Sequence, residues 1–173
     1  MPFTPYHFGP HGCVALPLSK YLDGPAFILA NVIVDLEPLV VVSLRLDYPP
    51  HGYLHTFLIG SLAGLVWGLI AYGLKDIIKP FMQFIRIFYR PTLLKTIISA
   101  VLGVWLHVAF DGIISTDIKP FFPLSANPLY GLMTAESMYK LCALAFIPAG
   151  LLYILTALVY TRNQKKRRKP TFN

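Results

Sequence analysis

Of 173 residues, 55% are hydrophobic and only 13% charged, about half the roughly 25% charged content of a soluble domain. That balance excludes an ordinary water-soluble globule and points to an integral membrane protein. The net charge of +7 does not indicate a nucleic-acid binder, because much of it sits in Arg162, Lys165, Lys166, Arg167, Arg168 and Lys169, directly after an apolar run. That placement suits a cytoplasmic stop in contact with anionic lipid.

Residues 1–25 are rich in Pro, Gly and His and lack the basic start of a signal peptide. Thr4 and Pro5 form a plausible helix start, and Pro10 limits a first helix to a turn or two unless it is kinked. His7 and His11 stand four residues apart. The segment reads as a surface arm or a re-entrant piece shielded by protein. Cys13 and Cys142 each lie among apolar neighbours, as buried thiols do.

From Pro25 or Ala26 to Leu46 the chain is apolar except for Asn31, Asp35, Glu37 and Arg45. Carboxylates are costly in lipid, so Asp35 and Glu37 should face a protein interior, a cation or water. Pro38 predicts a kink or break beside them. After a loop, Thr56 to Leu74 reads as a span whose Gly60, Gly64 and Gly68 permit close packing, within the chain or between chains. A helix beginning near Pro50 would carry His51 and His55 on one face.

Lys75 to Lys95 interleaves basic and aromatic residues, as an amphipathic helix lying in the interface does. Leu93 to Ile114 is the third apolar run, with His107 and Asp111 near its far end. A proline-rich loop follows, and Leu141 to Tyr160, with Pro148 inside, forms the last run. The expected architecture is all-α: a polytopic helical membrane bundle with about 3–5 spans, an interfacial helix and a membrane domain over 1–161, followed by a basic cytoplasmic tail over 162–173. Two spans separate the basic regions, so both fit the cytoplasmic side of a cell (inner) membrane, and His51, His55, His107 and Asp111 gather toward the outward face. His7 joins them only if the N-terminal segment reaches that face.

The ligand-type residues fall in four small clusters: His7 and His11, Asp35 and Glu37, His51 and His55, His107 and Asp111. Residues four apart on a helix share a face and can grip one ion. Single histidines in membrane helices commonly bond neighbouring helices instead, but the clustering favours a metal site. His7, Asp35, His51, His55, His107 and Asp111 are the candidate ligands, enough for one or two ions. Imidazole and carboxylate together suit zinc, with manganese or iron as alternatives. Asp35 and Glu37 point about 200° apart on an unbroken helix, which leaves Glu37 as a partner to a ligand, a second ligand or a general base. Glu37 and Asp111 are the candidates to position the water or shuttle its proton. Lys119 could meet an anionic headgroup or simply face the interface.

The order His7, Asn31-Val32-Ile33-Val34-Asp35-Leu36-Glu37-Pro38, His51-Gly52-Tyr53-Leu54-His55-Thr56, His107-Val108-Ala109-Phe110-Asp111 and Pro120-Phe121-Phe122-Pro123 resembles the membrane-bound metal-dependent hydrolases of the YdjM type, over roughly residues 5 to 125. Val34 stands where that family often has Pro, Glu37 where it has Asp, Gly52-Tyr53 where it has Arg-Gly, and Thr56 where it has Ser. The ligand types survive these changes, whereas a cation at position 52 does not. The order is also similar to that of zinc-dependent phospholipase C. The resemblance implies hydrolysis of a phosphoester, lipid or lipid-linked, by metal-activated water. The alternatives are a transition-metal transporter or metal-responsive membrane protein, and a structural protein whose histidines serve helix contacts.

Overall fold

The computed structural model describes residues 4–168. A 3-10 turn, Thr4–His7, leads into α1 (Phe8–Ala15), followed by α2 (Gly24–Ser43), α3 (Phe57–Gly73), α4 (Lys75–Phe84), α5 (Leu93–Ile114), α6 (Ala135–Leu144) and α7 (Phe146–Arg168). There is no strand among the described residues. Three stretches are long and apolar enough to cross a bilayer, namely α2, α5 and residues 135–166 of α6 with α7. A fourth is counted if α3 and α4, bent by 74° at their junction, form one broken span. The polytopic all-α bundle read from composition is therefore the observed fold.

Side-chain caps start the main helices. Asp23 accepts from the Ala26 N–H at 3.2 Å, Thr56 from Ile59 at 3.0 Å and Thr92 from Lys95 at 3.4 Å. Each satisfies a donor that has no partner inside its own helix. α5 is the centre of the bundle. Ala30 and Val34 of α2 pack on its Val104 and Val108, and α3 approaches it through glycines. A Cβ on Gly64 would stand 2.9 Å from the Val101 Cα, and one on Gly68 would stand 2.7 Å from the Ile97 Cα. The small-residue face thus serves packing within the chain. The opposite face of α3, with Leu58, Leu62 and Leu69, is exposed, as are Leu151, Ile154 and Leu158 of α7, as expected of surfaces meeting acyl chains.

The N-terminal segment is buried rather than a surface arm. Gly9 lies against the Cys142 carbonyl and Phe146, and Gly12 against Ala149. The chain descends past α5 to Asp23, and α2 returns beside it. At that end the rings of Phe88 and Tyr160 stand 4.8 Å apart, so the basic residues following α4 and those ending α7 share one end of the bundle.

Several boundaries differ from expectation. α2 runs unbroken through Pro38, whose lost N–H bond does not part a helix packed on α5. The helix expected from Pro50 begins at Phe57, because the Gly52 and Leu54 N–H groups donate to Glu37 instead. The interfacial helix ends at Phe84; Arg86 has a left-handed φ of 58° and the chain turns away. Pro148 sits in the first turn of α7, where no intrahelical N–H bond is forfeited. α7 continues to Arg168, so residues 162–168 extend the last helix; the remainder of the expected tail lies outside the described residues.

Candidate metal centre

Three elements converge where the C-terminal half of α2 meets the C-terminal half of α5. α2 brings Asp35, the turn before α3 brings His55, and α5 brings His107 and Asp111. One ligand atom from each lies within 4.8 Å of every other. Asp35 Oδ1 stands 3.3 Å from His107 Nε2 and 3.9 Å from His55 Nε2, and His107 Nε2 stands 3.4 Å from Asp111 Oδ2. Ligands roughly 2.0–2.2 Å from a tetrahedral zinc are separated by about 3.3–3.6 Å. The tetrad thus needs only small adjustments to take such an ion.

The imidazole orientations make the same point independently. His107 Nδ1 faces Asn31 Oδ1 at 3.0 Å, and the Asn31 amide is fixed by donating to the Ile28 carbonyl at 2.7 Å. His107 Nδ1 therefore carries the proton, and Nε2 presents its lone pair. His55 Nδ1 faces Glu37 Oε2 at 3.1 Å, and His51 Nδ1 faces the Asp117 carboxylate at 2.9 Å. In each case the Nδ1 partner aims Nε2 elsewhere, as in metal-ligating histidines held by an outer carboxylate or amide. Nε2 of His7, His51, His55 and His107, together with Asp111 Oδ1, is buried without an aligned hydrogen-bond partner. Leaving one buried polar atom unsatisfied costs about 1–3 kcal/mol. The polar neighbours of those atoms are one another, with His7 Nε2 3.2 Å from Asp111 Oδ1 and His107 Nε2 3.3 Å from Asp35 Oδ1, a grouping capable of coordinating a metal ion.

His7 reaches the cluster from the N-terminal segment, its Nε2 3.2 Å from Asp111 Oδ1 and its ring 4.7 Å from that of His107. The two oxygens of Asp111 thus face different imidazoles, His7 through Oδ1 and His107 through Oδ2. His51 lies outside the tetrad, with its ring 4.7 Å from that of His55. Burial and the neighbouring His55 lower its pKa, against the opposing pull of Asp117. His11 is fully buried but turned away, with Nδ1 on the His7 carbonyl at 2.9 Å and Nε2 on the Gly103 carbonyl at 3.2 Å.

Glu37 stands behind His55. Its Oε2 accepts from the Gly52 N–H at 3.0 Å, the Leu54 N–H at 3.1 Å and the His55 ring. Asp35 and Glu37 therefore bracket the two nitrogens of one imidazole from an unbroken helix, by meeting a residue that comes between them. The same packing explains Gly52. A Cβ there would meet Glu37 Oε1 at 2.5 Å and collide with the Tyr48 ring, so position 52 has no room for a cation.

Two orienting residues escaped the sequence reading. Asn31 carried a signal, since it precedes Asp35 by four and shares its helix face. Asp117 carried none, because its partner His51 is remote in sequence and meets it only in the fold. Lys119 is exposed and lines a cavity of about 160 Å³ with His51, Tyr48, Tyr53, Asp117 and Phe122, at the outer edge of the cluster.

The donor set of two imidazoles and two carboxylates suits a borderline divalent ion such as zinc, with manganese and iron compatible. Comparison of the chain with known protein families, with curated proteins and with solved structures finds no match. The YdjM-type resemblance accordingly rests on the order of the motifs, and what the structure adds to it is the buried His and Asp cluster itself.

Proposed function

We propose that the protein is a metal-dependent hydrolase acting on a phosphoester at or in the membrane. The observation that carries this reading is the meeting of Asp35, His55, His107 and Asp111, one ligand atom of each within 4.8 Å of the others, with Nδ1 of His55 and of His107 held from behind. Asp35, His55, His107 and Asp111 hold the ion. Zinc there would lower the pKa of bound water to near 7 and polarise a phosphoryl oxygen. Asp111 Oδ1 is the atom that accepts the proton from the attacking water, with His7 Nε2 beside it to pass the proton on. Glu37 and Asn31 are positioning residues that hold His55 and His107 in register. A metal content of two per chain would instead bring in His7 or His51 as a ligand of a second ion.

A lipid or lipid-linked substrate follows from the place of the cluster, within a bundle whose outer faces are apolar, beneath the aromatic-rimmed cavity beside Lys119. The basic end of α7 then faces the cytoplasm and the cluster faces outward. The test is release of phosphorylated headgroup from phospholipid vesicles by metal-loaded protein. Folded His55→Ala protein should bind no stoichiometric metal and release nothing. Full turnover in that variant, or after verified metal removal, sinks the reading.

A second reading is favoured by one observation. Thr96, Ser99, His107 and Asp111 form a buried polar stripe along α5, and His11 fills its middle through the Gly103 carbonyl. Such a stripe would suit transition-metal translocation. Metal flux into proteoliposomes without hydrolysis separates the two.

A further inference from the structure

An apolar cavity lies at the other end of the bundle, where α2 and α5 begin. It has a volume of about 270 Å³ and is enclosed by the turn after α1, the first turn of α2, the underside of α4 and the segment that follows it. Leu16, Ile28, Met82, Ile85 and Phe88 make its walls. Leu29 and Phe81, also in its lining, are exposed on the lipid-facing surface. The cavity therefore meets the bilayer rather than bulk water, at the level of an amphipathic basic helix of the kind that lies in the headgroup region.

Its polar end is cationic. Arg90 and Lys95 line it together with Asp23, Tyr89 and Ser19. The Asp23 carboxylate is already engaged, with Oδ1 accepting from the Ala26 N–H and Oδ2 from the Thr96 hydroxyl at 2.7 Å. Burial and Asp23 hold the Tyr89 phenol above its ordinary range, so it remains a neutral donor. Lys95 donates to the Ser19 carbonyl at 2.9 Å, which leaves two of its three N–H groups. The Lys and Arg ion pairs among the described residues are Lys75 with Asp76 and Lys140 with Glu136, so neither Arg90 nor Lys95 has a carboxylate at salt-bridge distance. Lys95 also stands in the first turn of α5, where the helix dipole disfavours a cation unless an anion accompanies it.

We propose that this cavity binds one anionic phospholipid, with an acyl chain between α2 and α4 and the phosphate on Arg90 and Lys95. Burial of the acyl methylenes accounts for retention. The pair of cations accounts for choice of headgroup. The site is separate from the metal cluster and does not rest on the hydrolase reading.

The full-length protein in neutral detergent is titrated with dioleoyl phosphatidylglycerol or dioleoyl phosphatidylcholine and observed by native mass spectrometry. One phosphatidylglycerol per chain should be retained, at least about tenfold more tightly than phosphatidylcholine. Arg90→Gln and Lys95→Gln should each erode that preference, and together remove it. Leu29→Trp, which fills the cavity from its lipid side, should displace both lipids. Equal retention of the two lipids, retention of neither, or a preference untouched by Arg90→Gln overturns the proposal. Arg90 is exposed, and its exchange leaves the core unaltered, so that last arm stands even if the Lys95 variant fails to fold.

Discussion

Two buried polar clusters lie along the seam between α2 and α5, and they are built on opposite principles. At the end where these helices start, Asp23 accepts from Ala26 and Thr96, its own N–H donates to Ser99 Oγ at 2.7 Å, and Ser99 donates to the Lys95 carbonyl. These three side chains satisfy one another and need nothing further. At the far end, Asp117, Glu37 and Asn31 hold one side of His51, His55 and His107, and no Nε2 of the three makes an aligned hydrogen bond, with the carboxylates of Asp35 and Asp111 lying 3.3–3.9 Å from those of His55 and His107. Equal burial therefore does not mean equal purpose. A polar cluster that closes on itself fastens helices, and one that gathers imidazoles and carboxylates without aligned hydrogen bonds is capable of coordinating a cation.

Breaking the convergent cluster should have the largest effect. His107→Ala or Asp111→Ala should remove bound metal from the purified protein by more than about a hundredfold in affinity, exceeding the 10–100-fold expected of outer partners, as read by elemental analysis after dialysis. Replacing those partners comes next. Glu37→Gln and Asn31→Ala should each weaken metal binding by about 10–100-fold while leaving one ion per chain at saturation. An unchanged affinity in both would show that the Nδ1 contacts do not orient the rings.

The self-satisfied cluster should answer in the opposite register. Asp23→Ala should cost about 2–4 kcal/mol of stability, since it removes a cap and strands the Thr96 hydroxyl. Metal content should be unchanged. Loss of metal in that variant would erase the contrast between the two ends. Chelation gives the mirror image and the smallest effect. Removing the ion should lower the thermal midpoint of the native protein, because a ligand that binds only the folded state stabilises it, and should leave that of the Asp111→Ala protein where it was.

Much of this was readable from sequence because local rules govern it. The hydrophobic run over Leu93–Ile114 coincides with α5, and Asp111 follows His107 at helical spacing, so that pair meets wherever the helix goes. The opposed directions of Asp35 and Glu37 on an unbroken helix left Glu37 as a partner to a ligand among its readings, and it holds His55 Nδ1 from behind; the kink or break expected at Pro38 is what the fold does not show. The span read over Thr56 to Leu74 is α3, Phe57–Gly73, but a helix reaching back to Pro50 does not form, because Glu37, from another helix, takes the backbone donors it would have used. Asp117 and the lipid-facing cavity were invisible for the same reason, since each depends on segments that meet only after the bundle has formed.

The burial of His7 bears on how the protein is made. The segment that carries it is near the beginning of the chain, yet Gly9 and Gly12 fit against Cys142, Phe146 and Ala149, near its end. The Asp111 that His7 faces is separated from it by a loop of about a hundred residues, whose closure costs (3/2)RT ln n, about 4 kcal/mol before any constant. α2, α3 and α5 can assemble on one another as they emerge, but the wall on which the first helix rests is synthesised last. His7 is therefore seated beside Asp111 only after α6 and α7, more than a hundred residues further along the chain, have formed.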